Sequence, residues 1–169
     1  MINMIKLAGG KPLFIDAETY STNIDIKKLE STIIENKDTA AILITHYHSL
    51  DRNFNEVKNI CKKYNLKIIE DCAISIGSKN KSEDSDFVIF SFGIFKFISS
   101  FIGGALYIKS DQIRNMVNKE INKYEIIKPF DYIFFFFKGL KFKIILNKFF
   151  FNIFVFPIIK FGYNKNINF

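Results

Sequence analysis

The sequence predicts an α/β fold with a mostly parallel sheet, followed by an apolar and basic helical tail. Strand-like and helix-like segments alternate through the first two thirds of the chain, which is typical of this fold class. The pattern changes near Ile126, where aromatic and aliphatic residues interspersed with lysines take over. We therefore predict an α/β domain over residues 1–125 and a helical tail over residues 126–169, in a chain long enough to bury one core.

The elements of the first part follow from the spacing of apolar residues. Apolar residues at helical spacing predict helices over 26–34, 54–64 and 111–124, the last with Ser110 as its N-cap. Short apolar runs predict strands over 12–16, 40–45, 66–70, 87–92 and 105–108. No internal repeat interrupts this order.

Polar side chains stand where four of these strands end, namely Asp16, His46, Asp71 and Ser91. Ligands of open α/β sheets bind outside the carboxyl ends of the strands, so a site is expected there. Lys96 follows Ser91 by five residues. A lysine amine can form a Schiff base, a carboxylate can keep a ring nitrogen protonated, and a hydroxyl with backbone N–H groups can hold a phosphate.

Each of these residues also has a simpler interpretation. Lys96 fits a solvated surface lysine, and Asp71 fits an acid that caps a turn or a helix. Ser91 fits a hydroxyl that bonds to backbone, and the pair Gly103–Gly104 fits a turn. His46 and His48 are interpreted as structural, and Cys61 and Cys72 as reduced thiols, because their spacing matches no zinc site.

The order and spacing of the motifs together resemble the DegT/StrS sugar aminotransferases. That family has a strand ending in Glu-Asp-x-Ala, then Phe-Ser-Phe, a Schiff-base lysine four residues later, and a Gly-Gly pair. The matching positions are Glu70, Asp71, Ala73, Phe90, Ser91, Phe92, Lys96, Gly103 and Gly104. Upstream, Gly10 and the segments 12–16, 23–25 and 40–46 are similar as well, so the resemblance covers about residues 7–110.

The resemblance implies the large domain of a pyridoxal 5'-phosphate (PLP) transferase of the aspartate aminotransferase type I fold. It implies that Lys96 forms the Schiff base with PLP and moves the proton, that Asp71 pairs with the pyridine nitrogen, and that Ser91 binds the phosphate. The implied reaction is transfer of an amino group, from a donor such as glutamate, to a nucleotide-linked keto-sugar for surface glycans or other polysaccharides. The implied assembly is a homodimer.

The sequence also departs from the family pattern. Ile74, Gly93 and Phe97 replace polar residues of the family, and Phe101 and Ile102 replace a typical Gly-Glu pair, so apolar contacts are expected beside the cofactor. The resemblance places a Gly-Thr phosphate-binding turn before Met1 and a substrate-binding domain after the matched segment. A fragment completed by another chain is therefore expected, with a catalytically inactive remnant or binding module as the alternative.

Charge is concentrated in the tail. Residues 1–125 carry 17 Lys and Arg against 16 Asp and Glu, whereas residues 126–169 carry 7 Lys against 1 Asp and hold 13 of the 21 Phe. No nucleic-acid surface is expected, and a cytoplasmic location is predicted. The tail predicts a helix that Pro157 ends or kinks. Its apolar face is expected to lie on the inner face of a membrane, to cover another subunit, or to pack onto the sheet.

Overall fold

The chain is described by a computed structural model over residues 2–47, 52–75, 84–93, 96–100, 102–124 and 128–164. The strands are β1 (Ala41–Thr45), β2 (Lys67–Asp71), β3 (Phe87–Ser91) and β4 (Gly104–Ile108). The helices are α1 (Ile2–Leu7), α2 (Ile26–Glu35), α3 (Phe54–Tyr64), α4 (Asp111–Ile121), α5 (Pro129–Ile145), α6 (Lys148–Phe150) and α7 (Phe156–Asn164). A π-helical turn over Phe151–Val155 joins α6 to α7.

The four strands form one sheet in the order β1-β2-β3-β4. β1 pairs with β2 and β2 pairs with β3 in parallel, and β4 returns antiparallel to β3. Thr45 lies opposite Asp71, and Asp71 lies opposite Ile89. The prediction of a mostly parallel sheet is confirmed, and the carboxyl ends of β1, β2 and β3 meet at one edge.

The hydrophobic core lies on one face of the sheet, under α2 and α3. Ile42, Ile44 and Ile68 point to this face from β1 and β2, as expected from the two-residue period of a strand. The buried side chains that α2 and α3 add are Leu29, Ile33, Phe54, Val57, Ile60 and Cys61. The helices cover the face because their apolar residues fall at helical spacing.

Local signals in the sequence explain where these helices begin and end. The Asp25 carboxylate accepts hydrogen bonds from the backbone N–H groups of Lys27 and Lys28, at 3.0 and 3.1 Å, and caps α2. Asn65 ends α3 in the left-handed conformation, at φ 53°. Ser110 accepts a bond from the backbone N–H of Ile113 and caps α4, as predicted.

One predicted strand is wrong. Residues 12–16 form no strand, and the pairing nearest to them is a single antiparallel bridge between Ala17 and Ile24. The Asp16 carbonyl accepts a bond from the Asp25 N–H, and the Glu18 N–H donates to the Asn23 carbonyl. These bonds fold the segment against the turn that precedes α2, so its backbone groups are not used by the sheet.

The other predicted elements agree with the structure to within a few residues. Asp71 is the last residue of β2 rather than the residue after it, and α4 ends at Ile121. In the tail the helix breaks earlier than Pro157, after Ile145, and Pro157 is the second residue of α7. Pro157 directly follows the π-helical turn, whose last bond runs from the Phe156 N–H to the Phe151 carbonyl, and proline itself has no N–H to donate.

Internal contacts divide the chain into two compact units. The first comprises Met1–Ser91 and Gly104–Val117, and the second comprises Phe92–Gly103 and Asn118–Phe169. The boundary near residue 125 stays a prediction from sequence. Across the described ranges, no single helix is long and apolar enough to cross a membrane. The pair Phe130–Ile145 and Lys148–Phe161 meets that requirement jointly, but with a bend of 63°.

Candidate functional site

Asp71 occupies the carboxyl end of β2, between β1 and β3. Its carbonyl accepts a hydrogen bond from the His46 N–H at 3.0 Å, and the N–H of the next residue, Cys72, donates to the Ile89 carbonyl at 2.9 Å. The backbone on both sides of Asp71 is therefore tied to neighbouring strands. A side chain at such a position is held by the sheet rather than by a loop.

Asp71 and Ser91 lie on the same face of the sheet. Asp71 pairs with Ile89, and Ser91 follows Ile89 by two residues, so both side chains point to the same side. This side is opposite the core, because the core residue Ile68 alternates with Asp71 along β2. The Asp71 carboxylate and the Ser91 hydroxyl, both predicted cofactor ligands, thus share one face and one edge of the sheet.

The Asp71 carboxylate is half-buried and partly used by its own turn. Oδ1 accepts a hydrogen bond from the Ala73 backbone N–H at 3.0 Å, which fixes the rotamer of the side chain. Among the described residues no group bonds to Oδ2. The Ala73 backbone N–H therefore orients the Asp71 carboxylate.

Lys96 lies in the second unit, on the segment Phe92–Gly103. It is half-buried, and its backbone N–H donates to the Gly93 carbonyl at 3.0 Å. The segment is closed within this unit by bonds from the Phe92 N–H to the Gly103 carbonyl and from the Ser100 N–H to the Phe92 carbonyl, both 2.9 Å. The meeting of Lys96 with Asp71 in one site stays a prediction.

The glycine pair has a structural explanation. Gly103 adopts a φ of +96°, which side chains with a Cβ rarely adopt. A Cβ on Gly104 would lie 2.4 Å from the Phe90 carbonyl oxygen, because Gly104 pairs closely with Ser91 at the start of β4. Glycine is therefore needed to turn the chain back along β3 beside the predicted phosphate ligand.

One feature of this edge was not predicted from the sequence, a buried polar cluster on the core face. His46 Nε2 lies 2.8 Å from Glu70 Oε2, and both side chains are almost completely buried. The Cys72 sulfur lies within 4.8 Å of donor atoms of both residues. His46 was predicted to be structural, and His48 lies outside the described residues. The signal was available in the alternation of β2, which places Glu70 and Asp71 on opposite faces.

The His46–Glu70 pair joins β1 to β2 directly behind Asp71. The two side chains are in direct contact through this hydrogen bond, so they form a buried polar pair in the core. The His46 ring also packs edge-on against Phe54 of α3, with ring centroids 5.2 Å apart. The cluster thus connects the helix layer to the edge of the sheet that carries Asp71.

A surface cavity of about 320 Å³ lies at the opposite edge of the sheet. Its lining includes Leu66, Ile68, Asp84 and Asp86, which stand at the amino ends of β2 and β3. Parallel strands place their amino ends away from the edge that holds Asp71 and Ser91. This cavity is therefore separate from the candidate site.

The sequence profile of the DegT/DnrJ/EryC1/StrS aminotransferase family matches residues 1–124 of this chain. The chain belongs to this family. A Campylobacter jejuni member, UDP-4-amino-4,6-dideoxy-N-acetyl-beta-L-altrosamine transaminase, is 33% identical over 131 residues, which is 75% of this chain and 34% of that protein. The Salmonella typhimurium lipopolysaccharide biosynthesis protein RfbH is 31% identical over 110 residues, covering 63% of this chain and 25% of that protein.

Solved structures of family members have the same fold. Helicobacter pylori PseC, an aminotransferase of pseudoaminic acid biosynthesis, superimposes with a TM-score of 0.61 at 27% identity, over 69% of this chain and 32% of that chain. Bacillus subtilis NtdA with bound cofactor PMP gives a TM-score of 0.60 at 26% identity, over 66% and 25% of the two chains. These are fold type I aminotransferases, so the predicted fold class is confirmed for a partial large domain. The chain spans between a quarter and a third of the length of these relatives.

Proposed function

We propose that this chain is the cofactor-binding part of a PLP-dependent sugar aminotransferase. The observation that carries the proposal is the position of Asp71. Its carboxylate stands at the carboxyl end of a strand with neighbours on both sides, faces away from the core, and shares that face with Ser91. This is the edge at which open α/β sheets bind their ligands.

The residues fit the chemistry of the cofactor. Oδ1 of Asp71 accepts a hydrogen bond from the Ala73 N–H, and Oδ2 is left to accept one from a pyridine N–H. Ser91 offers a hydroxyl to a phosphate oxygen, and Lys96 supplies the amine that attaches the cofactor and carries the proton at Nζ. PLP, when bound, supplies an electron sink that stabilises negative charge on the substrate carbon. The Asp71 carboxylate would pair with the pyridine nitrogen and keep it protonated.

The substrate class that we propose is a nucleotide-linked keto-sugar, with an amino donor such as glutamate. The support is the family and the Campylobacter transaminase, whose name describes a UDP-linked amino sugar. The chain matches about a third of such relatives. A second copy or a complementing chain is therefore proposed to complete the site, in the cytoplasm.

Reductive trapping of PLP tests the role of Lys96. The full chain is mixed with an equimolar amount of PLP, reduced with borohydride and digested, and the modified peptides are mapped by mass spectrometry. We expect the adduct to concentrate on Lys96, because the family motif has its Schiff-base lysine at this position. The variant Lys96→Ala should lose this adduct, whereas Lys109→Ala should keep it.

The variant Asp71→Asn separates cofactor binding from random lysine modification. Loss of the carboxylate should weaken PLP binding and lower the Lys96 adduct, while adducts on other lysines stay the same. An adduct spread evenly over exposed lysines would contradict the enzyme proposal for this chain and favour the inactive remnant. Complementation with a chain carrying the remaining family segments then tests amino transfer itself.

A further inference from the structure

The tail presents an apolar stripe along one side of α5. Its five side chains, Phe130, Ile133, Phe137, Leu140 and Ile144, are between 40% and 76% exposed. They follow one another at intervals of three or four residues, so at about 100° per residue they fall on one side of the helix. The half-buried residues Phe135, Gly139 and Phe142 fall on the opposite side. Tyr132, Phe134 and Phe136 are exposed beside the stripe as well, so the exposed apolar surface of α5 is wider than the stripe alone.

Lysines flank this stripe on both sides. Lys141 lies on one side and Lys143 on the other, and both are exposed. No lysine among the described residues of the tail forms an ion pair, and Asp131, the one acid of the tail, accepts from the Lys128 backbone N–H at the start of α5. Long lysine stems can lie along apolar surface while the ammonium groups stay in water or reach phosphates.

We propose that this tail docks on the surface of an anionic lipid bilayer, with the α5 stripe inserted at the level of the headgroups. The positive charge of the tail favours an anionic bilayer over a second copy of the chain. The tail carries 7 Lys against 1 Asp, so a second copy would bring the same excess of positive charge to the same surface. An anionic bilayer instead offers negative charge to the lysines and an apolar layer to the exposed aromatic and aliphatic side chains.

The tail lies on the bilayer and does not cross it. Lys138, Lys141 and Lys143 lie in the second half of α5, the last of them in its final turn, and burying three charged side chains in hydrocarbon is strongly unfavourable. The bend of 63° between the two helical segments also prevents a straight passage. In the surface orientation, exposed apolar residues of α7 such as Ile158 and Phe161 can add to the inserted area.

Vesicle flotation of the full chain tests the proposal. We expect the protein to float with vesicles of mixed phosphatidylcholine and phosphatidylglycerol, to stay behind with phosphatidylcholine alone, and to be released by high salt. The variant Lys141→Glu/Lys143→Glu should lose at least about tenfold in partitioning, because each basic side chain near an anionic surface contributes to binding. The matched variant Lys37→Glu/Lys62→Glu makes the same charge change at exposed lysines outside the tail and should bind normally.

A second pair of variants tests the apolar contribution. Phe137→Ser/Leu140→Ser changes exposed residues and should reduce partitioning without changing the circular dichroism spectrum. Equal binding to both vesicle types, or resistance to high salt with release only by detergent, would overturn surface docking. So would a concentration-dependent dimer in sedimentation that Phe137→Ser/Leu140→Ser abolishes, because the stripe would then be a protein interface.

Discussion

At the scale of single residues, the edge of the sheet has two chemically different sides. Asp71 faces away from the core and keeps one carboxylate oxygen for a ligand, whereas Glu70, its neighbour, is fully buried on the core side. A buried carboxylate is tolerated only when it is hydrogen-bonded, and His46 supplies that bond. Glu70 Oε1 has no hydrogen-bond partner among the described residues. The pair is therefore sensitive to the loss of either member.

The variant His46→Leu tests this dependence. It removes the hydrogen bond to Oε2 and leaves the Glu70 carboxylate in the core without it, so we expect a loss of about 3–5 kcal/mol in the free energy of unfolding. The double variant His46→Leu/Glu70→Leu should recover most of that loss, because no carboxylate then remains buried. Urea unfolding of His46→Leu, Glu70→Leu and the double variant measures the coupling between the two side chains. If the losses of the two single variants simply add in the double variant, the two side chains are not coupled and the explanation is wrong.

A second residue-scale prediction concerns Asp86. Burial raises the pKa of this carboxyl, but the hydrogen bond from the Ile68 backbone N–H and the contact with Lys67 outweigh it, so the net pKa lies below its ordinary value of 3.8. A lowered pKa in the folded state stabilises the fold above the ordinary pKa. That stabilisation is lost as the pH falls through the lowered pKa.

Replacement of Asp86 by Asn should therefore reduce the free energy of unfolding by about 1 kcal/mol at pH 7, since the amide oxygen accepts the Ile68 bond without a charge and the ion pair with Lys67 is lost. The difference between the wild type and the variant should shrink as the pH falls below about 4. Urea unfolding over a pH series measures it. The control Asp84→Asn changes an exposed ion pair with Lys58 and should have less effect. A difference that persists at low pH would contradict the assignment.

At the scale of elements, the return from β3 to β4 positions Ser91. Gly104 lies opposite Ser91, and there is no room for a Cβ between Gly104 and the Phe90 carbonyl. Gly104 is the first residue of β4, which pairs antiparallel with β3 from this point. The glycine pair of the family motif thus has a backbone role that can be separated from cofactor chemistry.

The variant Gly104→Ala should push β4 away from β3 and destabilise the chain by about 1–3 kcal/mol, the usual effect of overpacking. Amide hydrogen exchange should show lower protection along the β3–β4 ladder. Gly103→Ala is the matched comparison, because a Cβ there meets no atom within 4 Å and the effect arises from the positive φ alone. Its ladder protection should stay normal. Unchanged protection in Gly104→Ala would contradict the steric explanation.

At the scale of the whole chain, net positive charge and exposed apolar surface are both concentrated in the tail. Residues 1–125 carry almost balanced charge and contain the buried core under α2 and α3, whereas residues 126–169 carry a net charge of +6 and expose most of their aromatic side chains. The first part is the one that the family profile matches. The proposed cofactor chemistry and the proposed membrane contact therefore belong to different segments, and the two sets of variants test them independently.

The sequence alone determined the element order, the parallel sheet and the family. Hydrophobic periodicity is a local property, so it predicted α2, α3 and the four strands of the sheet, and the spaced motifs around Asp71, Ser91 and Lys96 led to the aminotransferases. Tertiary structure decided what depends on backbone bonds between distant residues. It turned residues 12–16 away from the sheet, joined His46 to Glu70 across two strands, and required glycine at position 104 through the close pairing of β3 and β4.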